Sequence, residues 1–241
     1  MVKGICRYPL VACRREANER SEMITQLLYG EIYEIIEEIP SWIKIKCLRD
    51  NYESWIDKKL HTPLSESLKI NFVASEPFNE IVDNGNKMIV PGASIIYSDQ
   101  KQSNKINDLI ESALKFIGAP YLWGGKSIWG IDCSGFVQVV FQIHGINLSR
   151  DAYQQAELGE TVEFNDLIQA GDLAFFSKGD DRISHVGICL NKEQIIHASG
   201  KVRIDKLDHH GIYNVDNQNY SHELRIVKRI KKAADKMPRQ S

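Results

Sequence analysis

Three short stretches hold the reactive side chains of this chain: Asp132-Cys133-Ser134-Gly135, Ser184-His185-Val186-Gly187 and Ile196-His197-Ala198-Ser199-Gly200. A thiol, an imidazole and a second ring nitrogen, in that order, can supply a nucleophile, its general base and a group that holds the base in the useful tautomer. Cys133 lies where the loop Tyr121-Leu122-Trp123-Gly124-Gly125 runs into an apolar segment, Phe136, Val137, Val139, Val140 and Ile143, ended by Gly145. That pattern predicts a helix opened by Cys133. At a helix start, unpaired N–H groups and the positive dipole end favour the thiolate, the form of cysteine that attacks a carbonyl. The competing reading of Cys133 by itself is a buried structural thiol; the two histidines tip the balance to the nucleophile.

Residues 185–190 and 194–199 flank Asn191-Lys192 and read as a β-hairpin. A three-residue loop at 190–192 would set His185 directly opposite His197, and a two-residue turn would offset them by one position. Strand alternation puts His185 on one face with Gly187 and Cys189, and turns Val186, Ile188, Leu190, Ile196 and Ala198 to the other, into a core. Two imidazoles beside small residues suit a cleft wall, with a pair of satisfied strand histidines as the plainer alternative. Cys189 shares the histidine face, but mid-strand it has no helix terminus to stabilise a thiolate.

Residues 121–135, the 171–176 stretch beginning Gly171-Asp172-Leu173, Ser184-His185-Val186-Gly187 and Ile196-His197-Ala198-Ser199 together resemble the NlpC/p60 family of bacterial cell-wall-peptide cysteine peptidases. The likeness covers roughly the last 135 residues in order. Ahead of it, residues 25–31, Trp42-Ile43-Lys44-Ile45 and Tyr52-Glu53-Ser54-Trp55-Ile56 resemble the bacterial SH3-like domains that precede this type of peptidase. The resemblance implies an α+β fold, a papain-like cysteine peptidase domain behind a small SH3-like β-barrel. It implies catalytic Cys133, His185 and His197 and no cofactor or metal. The implied substrate is a murein tripeptide or tetrapeptide cut at the γ-D-glutamyl–diamino acid bond, in cell-wall peptide recycling. It also brings Tyr121, Asp132, Ser134, Asp151, Tyr52 and Glu22 into view as substrate-binding residues, Asp151 for the free amino group and Tyr52 and Glu22 from the barrel. Read alone, Asp132 and Asp151 are equally helix-capping acids, Tyr121 a core aromatic, and Tyr52 a partner of Trp55. Two rival functions remain: a zinc amidase ligated by Cys133, His185 and His197, and a non-catalytic wall-binding module with a vestigial site.

Composition bounds the rest. The chain has 241 residues, 43% hydrophobic and 26% charged, which is ordinary globular material with room for one large domain or two small ones. A net charge of -2 offers no footprint for a polyanion, so nucleic acid is not an expected partner. No apolar stretch reaches membrane-spanning length and none at the N-terminus resembles an export signal, so no membrane partner and a cytoplasmic location are expected if Met1 is native. The five cysteines, at 6, 13, 47, 133 and 189, form no Cys-x-x-Cys pair and suit reduced thiols.

Short alternating or apolar runs at 24–29, 31–36, 42–46 and 54–56 give residues 1–60 a small-barrel pattern, and 61–103 read as a linker or a reduced second barrel. Residues 104–241 form the catalytic part. It opens on a helix over 106–117, capped by Asn104 and ended by Gly118, and closes with strands at 171–177, 185–190, 194–199 and 223–230. His144, His209 and His210 lack partners at useful spacing, and the basic run 228–236 reads as a solvated tail.

Overall fold

The computed structural model describes residues 2–64, 72–83, 85–97, 108–163, 167–179 and 182–231. Six strands form the first sheet: Lys3–Ile5 (β1), Leu10–Arg14 (β2), Met23–Leu28 (β3), Ile32–Glu38 (β4), Trp42–Cys47 (β5) and Glu53–Asp57 (β6), in the order β1-β4-β5-β6-β2-β3. Strict alternation along β5 buries Ile43, Ile45 and Cys47 while Trp42, Lys44 and Lys46 stay partly exposed. Those three join Cys6, Val11, Cys13, Leu27, Tyr33 and Ile56 in one core. β1 and β2 were not foreseen; they are short and lack a long alternating run.

In the 61–103 stretch, Phe72–Val73 (β7) pairs with Ile95–Ile96 (β10), and Phe78–Asp83 (β8) forms a hairpin with Asn86–Pro91 (β9). Ile81, Val90 and Ile96 pack with Tyr29, which directly follows β3. The next helix, Leu109–Leu114 (α1), is shorter than the periodicity suggested and is capped by Asp108, whose side chain accepts from Glu111 N–H at 3.0 Å. Asn104 and Ile106 lie outside the described residues. Lys126–Ser127 (β11) and Gly130–Ile131 (β12) pair as a small ribbon ahead of Cys133–Ile143 (α2), a helix buried on every side.

Ala152–Gln155 (α3) precedes the second large sheet. Its strands are Glu160–Thr161 (β13), Leu173–Ser177 (β14), His185–Asn191 (β15), Gln194–Ser199 (β16), Lys201–Leu207 (β17), Gly211–Asn214 (β18) and Asn219–Arg229 (β19), in the order β13-β19-β14-β15-β16-β17-β18, with β18 also paired to β19. Helix before antiparallel sheet is the α+β order expected of the catalytic part. Lys228 and Arg229 are not tail residues: they end β19, and Arg229 binds Asp172 through two contacts of 2.7 Å.

The chain forms two compact units, one of Met1–Arg150 with Ala198–Arg203 and the other of Asp151–His197 with Ile204–Ser241. The first unit fuses the barrel to α2 through buried polar contacts. Glu31, fully buried, accepts from Leu28 N–H at 2.9 Å and pairs with Lys126 at 3.2 Å and Arg49 at 3.5 Å. Lys126 N–H donates to Gln26 Oε1 at 2.8 Å, and Arg49 donates to the carbonyls of Ala93 and of Gln142 near the end of α2. Removing one side of a buried ion cluster leaves a charge without compensation, a loss of about 3–5 kcal/mol. Glu31→Ala, which strands both cations, should therefore lower the unfolding free energy by that order in a denaturant titration. The double variant Glu31→Gln/Lys126→Met should recover a substantial part of the loss.

Candidate active site

Cys133 is the first residue of α2, as its sequence context predicts, and Asp132 is the N-cap. The Asp132 carboxylate accepts from Gly135 N–H at 2.7 Å and Gly124 N–H at 2.8 Å, so one acid pins both the helix start and the preceding loop. Gly135 is needed for that closeness: a Cβ there would sit 2.3 Å from the Gly125 carbonyl oxygen. Arg150, 1% exposed, grips the same carboxylate through Nη1 at 3.1 Å and Nη2 at 2.6 Å. Its Nη1 also donates to Ser134 Oγ at 2.9 Å, and its Nε donates to Thr25 Oγ1 of the barrel at 2.9 Å. The capping role of Asp132 is thus plain, and its oxygens are well supplied with protein donors.

Tyr121 is partly exposed, and its N–H is bonded to the Gly200 carbonyl at 3.0 Å. Burial first, then the nearby Cys133 and Asp132, push its phenol well above the usual range, so the hydroxyl keeps its proton at neutral pH. Glu22 takes Trp123 Nε1–H at 2.6 Å and Arg15 at 2.8 Å. Tyr52 is half-buried in the β5–β6 turn, where its N–H donates to Asp50 Oδ1 at 3.0 Å; the other oxygen of Asp50 accepts from Gln138 of α2 at 3.0 Å. The barrel residues Glu22, Thr25 and Asp50 are in this way bonded to the nucleophile loop, Arg150 and the nucleophile helix respectively.

The histidines belong to the second unit. Their register differs from both expected forms: His197 faces Gly187, and a bulge between Cys189 and Asn191 shifts the pairing so that His185 lies diagonal to His197. Diagonal neighbours on one face remain within reach of ring side chains. His185 Nε2 is 2.8 Å from His197 Nδ1, and His197 Nε2 is 3.0 Å from Asp205 Oδ2. Gly187 leaves room for this, since a Cβ there would meet Ile195 Cδ1 at 2.7 Å and His197 Cβ at 2.9 Å.

The direction of the proton chain follows from the acid. Asp205 is buried and accepts from His197 Nε2–H, which leaves His197 Nδ1 a lone pair; His185 must then donate from Nε2, and its Nδ1 is the basic nitrogen. Val215 N–H holds the other Asp205 oxygen at 3.1 Å. Burial first, then His197 and His222, hold His185 well below the ordinary imidazole range, so it is neutral and able to take a proton. The relay also disfavours the zinc reading. Two imidazole nitrogens bound to one tetrahedral zinc at ~2.0–2.1 Å stand about 3.3 Å apart with both lone pairs turned inward, whereas these share a proton at 2.8 Å.

The histidine face is not an open cleft wall along its length. Cys189 is fully buried with Ala174, Phe176, Ile195 and Leu207, and burial pushes its thiol up to about 12. Asp151 caps α3, its N–H donating to Gln154 Oε1 at 3.3 Å, and it belongs to the same unit as the histidines. His144 ends α2 and bonds Ser112 Oγ at 3.0 Å, while His209 and His210 contact each other. Asp205 and Arg150 went unassigned in the sequence. The one available signal for Asp205 is an acid within an otherwise alternating strand, eight residues after His197.

Residues 118–225 match the model of the NlpC/P60 family, and residues 13–59 match the bacterial dipeptidyl-peptidase Sh3 domain. A γ-D-glutamyl-L-lysine dipeptidyl-peptidase of Bacillus subtilis (strain 168) is 37% identical over 116 residues, 47% of this chain and 38% of that protein. The namesake from Bacillus cereus (strain ATCC 10987 / NRS 248) is 37% identical over 94 residues, and the match spans 28% of its length. The chain therefore spans about a third of these two relatives. Dipeptidyl-peptidase 6 of Lysinibacillus sphaericus is 26% identical across 83% of this chain and 90% of its own length. The crystal structure of an NlpC/P60 family protein from Bacillus cereus ATCC 10987 superposes with a TM-score of 0.78 over 94% of this chain and 99% of that one, at 18% identity, which establishes the shared fold. With Cys133, His185 and His197 all inside the matched segment, residues 118–225 carry a domain of the NlpC/P60 cysteine peptidase family, preceded at residues 13–59 by a bacterial dipeptidyl-peptidase SH3 domain.

Proposed function

We propose that this chain hydrolyses the amide between γ-D-glutamate and a diamino acid, meso-diaminopimelate or L-lysine, in murein tripeptides or tetrapeptides that begin with a free L-alanine. The observation that carries the chemistry is the ordered relay Asp205–His197–His185, which leaves His185 neutral with one fixed basic nitrogen. The substrate rests on the relatives named for γ-D-glutamyl-L-lysine and dipeptidyl peptides. A role in cytoplasmic recycling of wall peptides belongs to the same proposal, and five buried free thiols suit a reducing compartment.

In this reading Cys133 Sγ attacks the γ-carbonyl while His185 Nδ1 takes the thiol proton. The oxyanion is held at the start of α2, where backbone N–H groups and the dipole favour negative charge, and the protonated Tyr121 hydroxyl donates to it. His185 hands its proton to the departing amine, which leaves as the diamino acid from a tripeptide or as the diamino acid still joined to its fourth residue from a tetrapeptide. Water then attacks the thioester with His185 as base, releasing the γ-carboxylate and restoring the thiol. Asp151 receives the L-alanine ammonium with Ser134 nearby, and Tyr52 and Glu22 close that end to peptides still attached to glycan.

A non-catalytic wall-binding module would need no reactive thiol. Alkylation at neutral pH should label Cys133 well ahead of Cys6 and Cys47, whose thiols are pushed up chiefly by burial; equal labelling would favour the binding module. On a murein tripeptide followed by mass spectrometry, Cys133→Ala should abolish cleavage and Cys189→Ala should leave it largely intact. His185→Ala should be about as damaging as Cys133→Ala, because residues acting as one unit do not contribute additively. Asp205→Ala should reduce kcat by roughly 10- to 100-fold, less than the ~10²–10⁴-fold that a general base supplies.

Amine recognition is tested by acetylating the L-alanine. Removing the ammonium leaves an acid without its partner, a loss on the order of 2–5 kcal/mol. With ~1.4 kcal/mol per tenfold, kcat/KM should fall by well over tenfold. Asp151→Asn should erase most of the difference between free and acetylated substrate. Equal rates on both peptides in the parent would refute amine recognition, and a preference unchanged in Asp151→Asn would move it to Glu22 or Asp132.

A further inference from the structure

We infer that His222 is a positioning residue for the base of the relay: its ring stacks on His185 and fixes the plane in which His185 reaches His197. The inference rests on reading His185 as the base. The two rings come from different strands, His222 from β19 and His185 from β15, and lie with centroids 4.1 Å apart and planes 22° from parallel. His197 meets His185 edge-on at 5.0 Å and 86°, and Phe176 lies 6.0 Å away, tilted by 47°. An imidazole on a free χ2 torsion samples a broad, roughly two-fold range. Here a ring face, a hydrogen bond and an aromatic neighbour together leave His185 one plane. That plane decides where Nδ1 points, so the stack acts on the reaction through the base.

His222 is itself held. Its Nδ1 is 2.9 Å from Ser221 Oγ, Ser221 bonds the Ile212 carbonyl at 3.4 Å, and Phe176 packs edge-on at 6.3 Å. Backbone pairing of His222 with Ile212 and of Leu224 with Phe176 sets its height in the sheet. Four charged or titratable groups on other segments act on it: His185 on β15, His197 on β16, Asp205 on β17 and Lys178 just after β14. Burial first, then His197 and Lys178, lower His222 to about 4 against the opposing pull of Asp205. The ring is therefore an uncharged plate at neutral pH. As pH falls, the unfolded chain takes up this proton near 6.5 and the folded chain only near 4. The stability associated with the neutral stack is thus complete above about 6.5 and declines as pH drops toward 4. Below that, a cation stands on the face of the base and the stack is repelled.

The test compares His222→Ala and His222→Phe in the full chain. The His185 ring is followed by NMR titration, assigned by its loss in His185→Gln, and kcat/KM is measured on the tripeptide from pH 4 to 8. Opening the face of His185 to water in His222→Ala should raise its titration toward the ordinary value near 6.5. The same change should lower kcat about tenfold with KM within about twofold, as expected for a misaligned group rather than lost binding. His222→Phe restores the plate without the charge, so it should keep kcat within about threefold at pH 7 and remove any inflection near 4. An unchanged His185 titration in a folded His222→Ala would overturn the inference, as would a folded His222→Phe as slow as His222→Ala. If the parent cuts no murein peptide, the proposed activity fails while the His185 titration still decides the role of His222.

Discussion

The bidentate grip of Arg150 on Asp132 is the contact on which the start of α2, and with it Cys133, depends. An acid next to a reactive thiol is a liability, because its charge opposes formation of the thiolate. Asp132 is nevertheless the residue that can cap α2 and turn the preceding loop, through Gly135 and Gly124. A guanidinium, charged at any working pH and matched in shape to a carboxylate, cancels the field while leaving the cap in place. Both partners are buried, so the desolvation is offset only because every side of the pair is bonded: two backbone donors on the acid, and Ser134 and Thr25 on the arginine. Thr25 belongs to the barrel, which is why the barrel is part of the nucleophile's support.

The same logic appears in the Glu31 cluster, where one buried acid is matched by Lys126 and Arg49. Lys126 follows the Gly124-Gly125 turn, and Arg49 reaches the end of α2. Asp132 at the start of α2 is thus locked to Arg150, and Glu31 of the barrel to Lys126 ahead of α2 and to Arg49, which reaches its end. The compact unit that results runs through Arg150, well beyond the barrel match at residues 13–59.

Much of this was legible because local chemistry dictates it. Cys133 at a helix start follows from a glycine-rich loop meeting an apolar run, β5 and β6 follow from period-two alternation, and β3 and β4 from short apolar runs between turn residues. What escaped depends on distance in the chain. The hairpin register turned on a bulge at Leu190 that no residue type announces, so His185 was placed opposite or one step from His197 when it lies two steps away. The bulge keeps the same faces together, which is why the pairing of the histidines survived the error. Arg150 meets Asp132 across 18 residues and Thr25 across 125. His222 lies 37 positions beyond His185 on a strand that returns to the sheet. Asp108, directly before Leu109, caps the described helix by accepting Glu111 N–H.

In the proposed reaction the thiol and the base each have ordered surroundings. The order of the Cys133 segment comes from Asp132, Arg150 and the barrel; the order of His185 comes from His197, Asp205 and the ring of His222. Each set includes side-chain contacts within its own unit. Such preorganisation matters most where charge develops during the reaction, at the sulfur, the oxyanion and the imidazolium, because fixed dipoles need not reorient at that moment. In the relay the fixed partner of the imidazolium is a buried carboxylate one histidine removed. In the proposed reaction a proton taken by His185 would strengthen its Nε2–H bond to His197, and Asp205, one ring removed, would meet the charge. A second histidine alone could orient the base; ending the chain on an acid makes it stabilise the charged form as well.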